Sequence, residues 1–201
     1  MSRLTTAFVL GYHGCDARIA EQAVAGEIDI LQSERAYDWL GPGAYFWEAD
    51  PLRAREWAEG KVRNGQYARP AVIGAVVDLG ACLDLSNREN IDLVKGAYAS
   101  FCGEQEAAGL ALPENRNPVG VTDPDRLLRF LDCAVIKHLH ATIEGVPPEK
   151  RIVPPFDTVR GVFFEGDPIY SNCGFHERTH VQIAVRNSDC IKGIFHVRKI
   201  P

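Results

Sequence analysis

Short apolar, β-branched runs alternate with stretches of helical spacing along the chain. Leu4 to Tyr12 (LTTAFVLGY) is apolar, short and runs into Gly14, which predicts a buried strand. Ala17 to Ala25 follows with Ile19, Ala23 and Val24 at helical spacing; Asp16 takes the N-cap position and Gly26 ends the run. Ser33 to Gly43 reads as a loop with aromatic residues embedded in it, and Ala44 to Trp47 as a short strand. Asp50-Pro51 then opens a helix, with Asp as N-cap and Pro in the first turn, that carries Ala54, Trp57 and Ala58 along one face. Ala71 to Leu79, bounded by Pro70 and Gly80, is the strongest strand signal. Ile91 to Phe101 has helical character, and Gly103 to Thr122, rich in Gly, Pro and Asn, reads as a surface loop. Asp123-Pro124 opens a further helix, with Leu127, Leu128, Leu131, Val135 and Leu139 keeping helical spacing to about Ala141. The prolines of Val146 to Pro155 require a connector.

The last third is β-like. Thr158 to Glu165, Thr179 to Val185 and Ile191 to Val197 each suit a strand, and Arg186-Asn187-Ser188-Asp189 turns the second into the third. The order β-α-loop-β-α-β-α-α-β-β-β is that of an α+β fold, not of a doubly wound parallel sheet. No linker divides residues 1–201, which read as one domain.

Composition narrows the classes. At 46% hydrophobic and 24% charged residues over a length of 201, the chain can build a core, which excludes a disordered or fibrous protein. No apolar run approaches the roughly 20 residues of a membrane span. The first residues lack the apolar run of an export signal, so the expected compartment is the cytoplasm, with no membrane partner. The net charge of −5 argues against loose binding to a phosphate backbone. The six cysteines include no C-x-x-C pair, which removes the usual structural zinc site and fits free thiols in a reducing compartment; no metal is expected.

Three segments carry candidate chemistry. His13-Gly14 stands at the end of the first strand, where a His can hydrogen-bond a ligand hydroxyl and a Gly lets a ligand approach the main chain. Gly41-Pro42-Gly43-Ala44-Tyr45-Phe46-Trp47 brings two glycines to an aromatic strand, whose Tyr45 ring can stack on a planar heterocycle. In Phe175 to Val185, alternation places His180, Gln182 and Ala184 on one strand face opposite Val181, Ile183 and Val185, with Glu177 just before the strand. There is no Rossmann G-x-G-x-x-G between strand and helix, no phosphate loop and no G-x-S-x-G elbow. His138 and His140 lie on different helix faces, which does not suit a metal.

Taken in order, the three segments resemble the ADP-ribosyltransferase superfamily, in its diphtheria-toxin and poly-ADP-ribose-polymerase branch with a His, Tyr, Glu triad. The resemblance implies a split, mixed β-sheet core with flanking helices, and NAD as the substrate. It implies that His13 binds the adenosine ribose, that the Gly14 main chain holds the nicotinamide carboxamide and that Tyr45 stacks on the nicotinamide ring. Trp57 would close the other side, Ser33 would contribute to the cofactor site and Arg160 would hold a phosphate. For the acid that stabilises the oxocarbenium-like transition state the resemblance points to Glu177, but Gln182 is better placed on the strand, and Glu165 at the end of the preceding strand is a further carboxylate. A non-acidic third residue implies transfer of a single ADP-ribose unit to a protein or nucleic-acid acceptor. A chain of this kind resembles a small bacterial toxin or anti-phage effector, with an antitoxin or immunity partner. Three other readings stay open: an NAD glycohydrolase of the same fold, an inactive NAD- or ADP-ribose-binding module, and an interaction domain marked by an exposed patch of Trp39 and Trp47.

Overall fold

Alternation of apolar residues draws strands β1 (Phe8–Asp16), β2 (Ala44–Glu48) and β3 (Pro70–Asp78) into the centre of a mixed sheet in a computed structural model. The model describes residues 8–121 and 125–198. The expected strand residues Leu4 to Ala7 and the Asp123-Pro124 helix opening fall outside the described residues. Helix α1 (Ala17–Val24) follows β1, with Asp16 accepting from Arg18 N as its N-cap. Helix α2 (Pro51–Arg63) follows β2, with Asp50 accepting from Arg53 N and Pro51 at its start. Helices α3 (Arg88–Ala107) and α4 (Phe130–Gly145) pack together, and the chain closes with β7 (Thr158–Phe163), β8 (His180–Val185) and β9 (Ile191–His196).

Two features depart from expectation. The 88–107 helix outruns the expected one, passing through Gly96 and Gly103. Both glycines face open space, while Leu93, Val94 and Phe101 pack on the core, so burial along one face outweighs the weak propensity of the other. Short strands β4 (Cys82–Asp84), β5 (Asn115–Arg116) and β6 (Leu128–Arg129) also appear. They are two or three residues long and carry no periodicity, so only their partners define them.

The seven-stranded sheet runs β4-β7-β8-β2-β1-β3-β9, with β4 parallel to β7 and every other described pair antiparallel. β1 pairs with β3 along its whole length, from Phe8↔Asp78 to Asp16↔Pro70. β2 pairs with β8 from Ala44↔Val185 to Trp47↔Gln182. Yet β1 and β2 meet only at Gly11↔Glu48 and Tyr12↔Trp47. Beyond this two-pair seam the strands part, and the sheet divides into β4-β7-β8-β2 and β1-β3-β9.

Each face buries its own core. On one, Ala20 and Ala23 of α1 cover Phe46, Ile73, Ile183 and Val185. On the other, α3, α4 and Leu40 cover Leu83, Val159 and Ala184. Helix α2 crosses β1 at Gly14, where a Cβ would lie 2.1 Å from the carbonyl oxygen of Ala54. Glycine is required there by close approach of helix and strand. Among the described residues no helix is long and apolar enough to cross a membrane.

Candidate functional site

The seam places the first two motifs side by side. Alternate residues of a strand turn both main-chain groups to the same neighbour. Leu10 O accepts from Ala49 N at 2.9 Å on the β2 side, and Ala17 N reaches Arg69 O at 3.0 Å on the β3 side. Gly14, in phase with Leu10, therefore turns its N–H and C=O towards the opening that β2 leaves. A donor and an acceptor on one peptide edge match a carboxamide, which offers the complementary pair.

His13 spans the opening. Its Nδ1 donates to the carbonyl oxygen of Tyr45 at 2.8 Å, which fixes the tautomer and leaves Nε2 as an acceptor. Burial is the larger influence on its pKa and pushes it below the ordinary histidine value; the hydrogen bond to Tyr45 opposes this. A neutral imidazole with one free lone pair is suited to accept from a hydroxyl. The ring also packs on Phe46 at 5.7 Å, so it lies on the α1 side of the sheet.

Tyr45 corrects an expectation. Its ring lies on the opposite face from His13, half-buried against the α3–α4 core, and does not present a free surface for stacking. Its hydroxyl donates to Gly41 O at 2.8 Å and accepts from Leu40 N at 3.0 Å. Burial raises the phenol pKa well above its usual range. The side chain thus holds the Gly41 turn, where φ is +78°. Ser33 braces the same loop, donating to Asp38 Oδ2 at 2.6 Å and bridging Gly43.

A second aromatic surface, partly covered, belongs to α2. Trp57 stands one turn beyond the Ala54 contact with Gly14, half-buried, with Trp47 at 5.9 Å, Tyr67 at 5.9 Å and the Lys61 ammonium 4.8 Å from its ring centre. Trp47 is buried, and its indole N–H has no partner among the described residues. It therefore does not form the exposed patch expected with Trp39, which is itself half-buried.

The three candidates for the third position separate clearly. Gln182 lies opposite Trp47 on the α2 face, and its Oε1 accepts from Trp39 Nε1 at 2.6 Å. Glu177 is exposed and off the strand, in the arm between β7 and β8, where its main chain donates to Asp167 O. Glu165 is buried and already paired: Arg53 donates to it at 2.6 Å, and Arg178 stands 3.4 Å away. His180 is buried beside it, stacked on Phe163 at 5.6 Å and donating from Nδ1 to Arg178 O at 2.7 Å. Desolvation, the main influence, lowers the His180 pKa.

Arg160 also departs from its expected role. It lies on the Phe46 face, where Glu48 accepts at 2.6 and 3.1 Å and Asp84 at 3.1 Å. Two carboxylates neutralise it, so it does not suit a phosphate. Glu48 and Asp84 are one residue past β2's Trp47 and at the end of β4, and neither position hinted at this pairing in the sequence. Burial raises the Cys15 and Cys82 thiols to about 11, which disfavours thiolate nucleophiles.

The seam thus brings together His13, Gly14 and the Tyr45 main chain. Trp57 and Gln182 lie on the α2 face, Ser33 and the Tyr45 hydroxyl brace the loop before β2, and Arg160 and Glu177 stand apart from the seam. Arg53 has no signal in the sequence that marks it as a site residue, and Trp39 stands out there only as part of an exposed patch, not as the partner of Gln182. The aromatic loop around Trp39 was visible, but its partner lies 143 residues away. No protein-family model, curated protein or solved structure matches the chain.

Proposed function

We propose that the protein is an NAD-dependent mono-ADP-ribosyltransferase with an ADP-ribosyltransferase-like split-sheet fold. It would cleave NAD and pass ADP-ribose to a protein or nucleic-acid acceptor, as a cytoplasmic toxin or anti-phage effector with a neutralising partner. The observation that carries this reading is the seam: His13 Nδ1 on Tyr45 O, and the Gly14 peptide edge turned into the opening. Trp57 supplies the aromatic surface that Tyr45 does not.

In this reading the carboxamide of the nicotinamide pairs with Gly14, Trp57 covers the ring and His13 Nε2 accepts from a ribose hydroxyl. Breaking the glycosidic bond develops positive charge on the ribose, and groups that meet that charge accelerate the step. Gln182 brings no charge to it. Glu165, held by two guanidinium groups, is not free to do so. That pairing favours a second reading, in which the site binds NAD or ADP-ribose without cleaving it.

Nicotinamide release from NAD by the purified protein separates the two. Release that falls about a hundredfold in His13→Ala and Trp57→Ala establishes the enzyme. Calorimetric binding without release supports the binding module. Neither release nor binding overturns both.

A further inference from the structure

We propose that Trp39 is a positioning residue that orients the Gln182 amide, so that the third position of the site meets its ligand as a hydrogen-bond donor. The inference rests on the NAD-site reading above and adds the polarity of that contact.

An indole N–H can only donate. The Gln182 atom 2.6 Å from Trp39 Nε1 must therefore be the amide oxygen, and the nitrogen turns the other way. Among the described residues that nitrogen has no protein partner, and it is not among the buried unpaired atoms. It is thus open to a ligand. A carboxylate at this position would offer only acceptors; this chain offers two N–H bonds.

The indole has little freedom to let the amide turn. Its ring lies over Gly161, where a Cβ would come within 2.6 Å of it, and Gly161 is the β7 partner of Gln182. Its edge meets Phe163 at 5.2 Å. On its loop, Leu40 N donates to the Tyr45 hydroxyl and Gly41 N to Asp38 O at 2.7 Å. The expected ligand atom is an oxygen with a free lone pair on the dinucleotide, a ribose, carbonyl or phosphate oxygen.

The test is a double-mutant cycle on NAD affinity, read by calorimetry, with thermal melts to confirm folding. Trp39→Phe keeps the ring over Gly161 but frees the amide, and should weaken NAD about fivefold. In the Q182A background the same change should have no effect on affinity, whereas a merely structural Trp39 would weaken both alike. Gln182→Glu preserves the bond to Trp39 but replaces the outward donor with an acceptor, and should also weaken NAD. A wild type that binds NAD while W39F binds equally well overturns the inference alone. So does equal loss in both backgrounds, or Q182E binding as tightly as wild type. A wild type that binds no NAD overturns the site reading together with the inference.

Discussion

Gly14 and Gly96 show how differently a missing side chain acts within one chain. Adding a methyl at Gly14 drives it against the Ala54 carbonyl at 2.1 Å, so α2 must lift from β1. Gly14→Ala should lower stability by about 1–3 kcal/mol in urea denaturation and weaken any ligand held by the Gly14 peptide edge. Gly96 lies in the interior of α3 with nothing near its Cβ position. Gly96→Ala should raise stability by about 1 kcal/mol, and a decrease would show that the helix face is not open. The importance of Gly14 could be read from its place after a His at a strand end. The environment of Gly96 could not, because it depends on which face α3 turns to α4.

At the scale of elements, α2 is fixed by both ends of its first turn. Asp50 caps it, and Arg53 ties it to Glu165, two residues beyond β7. With Arg53 and Glu165 side chains 16% and 10% exposed, the link lies in a poorly solvated place; without Glu165, Arg53 keeps only its ion pair with Glu56. Glu165→Ala should destabilise by roughly 1–3 kcal/mol, the cost of a lost hydrogen bond to a buried charged group, measured by thermal or chemical melts. A change under ~1 kcal/mol, the worth of an exposed pair, would mean that the link is solvated. The sequence made α2 legible through Asp50-Pro51 and the Ala54, Trp57, Ala58 stripe. It also made β1, β2, β3, β8 and β9 legible, because each alternates or is continuously apolar between turn residues. The start of α4 was misplaced because Leu127 and Leu128 continue its apolar spacing, although Leu128 belongs to β6 and the helix begins at Phe130. Arg160 departs from its expected phosphate contact for a similar reason: its two carboxylate partners come from different strands, which only the sheet order brings together.

Across the whole molecule, burial of histidine sets a direction for acid sensitivity. His140 is 4% exposed, neither ring nitrogen has a partner among the described residues, and burial lowers its pKa to about 4. The unfolded chain protonates this ring near the ordinary value of about 6.5, while the folded one resists until lower pH. Stability is therefore full above that value and is lost as pH falls towards about 4. Each pH unit inside that window costs about 1.4 kcal/mol. Between pH 7.5 and 5, His140→Leu should shrink the loss of stability by about 2 kcal/mol, read from urea midpoints at the two pH values. An unchanged difference would show that His140 does not titrate with unfolding. His13 and His180 are shifted in the same direction and should reinforce the trend.

The chain has three tryptophans, and all of them stand on one side of the sheet, around Gln182 and α2. Intrinsic fluorescence therefore sees only this region and is blind to the α1 half of the core. Emission from this protein should shift or quench when a ligand fills the opening at the seam or α2 lifts. An unfolding event confined to α1 and β9, on the other face, would pass almost unseen, and circular dichroism would be needed to detect it.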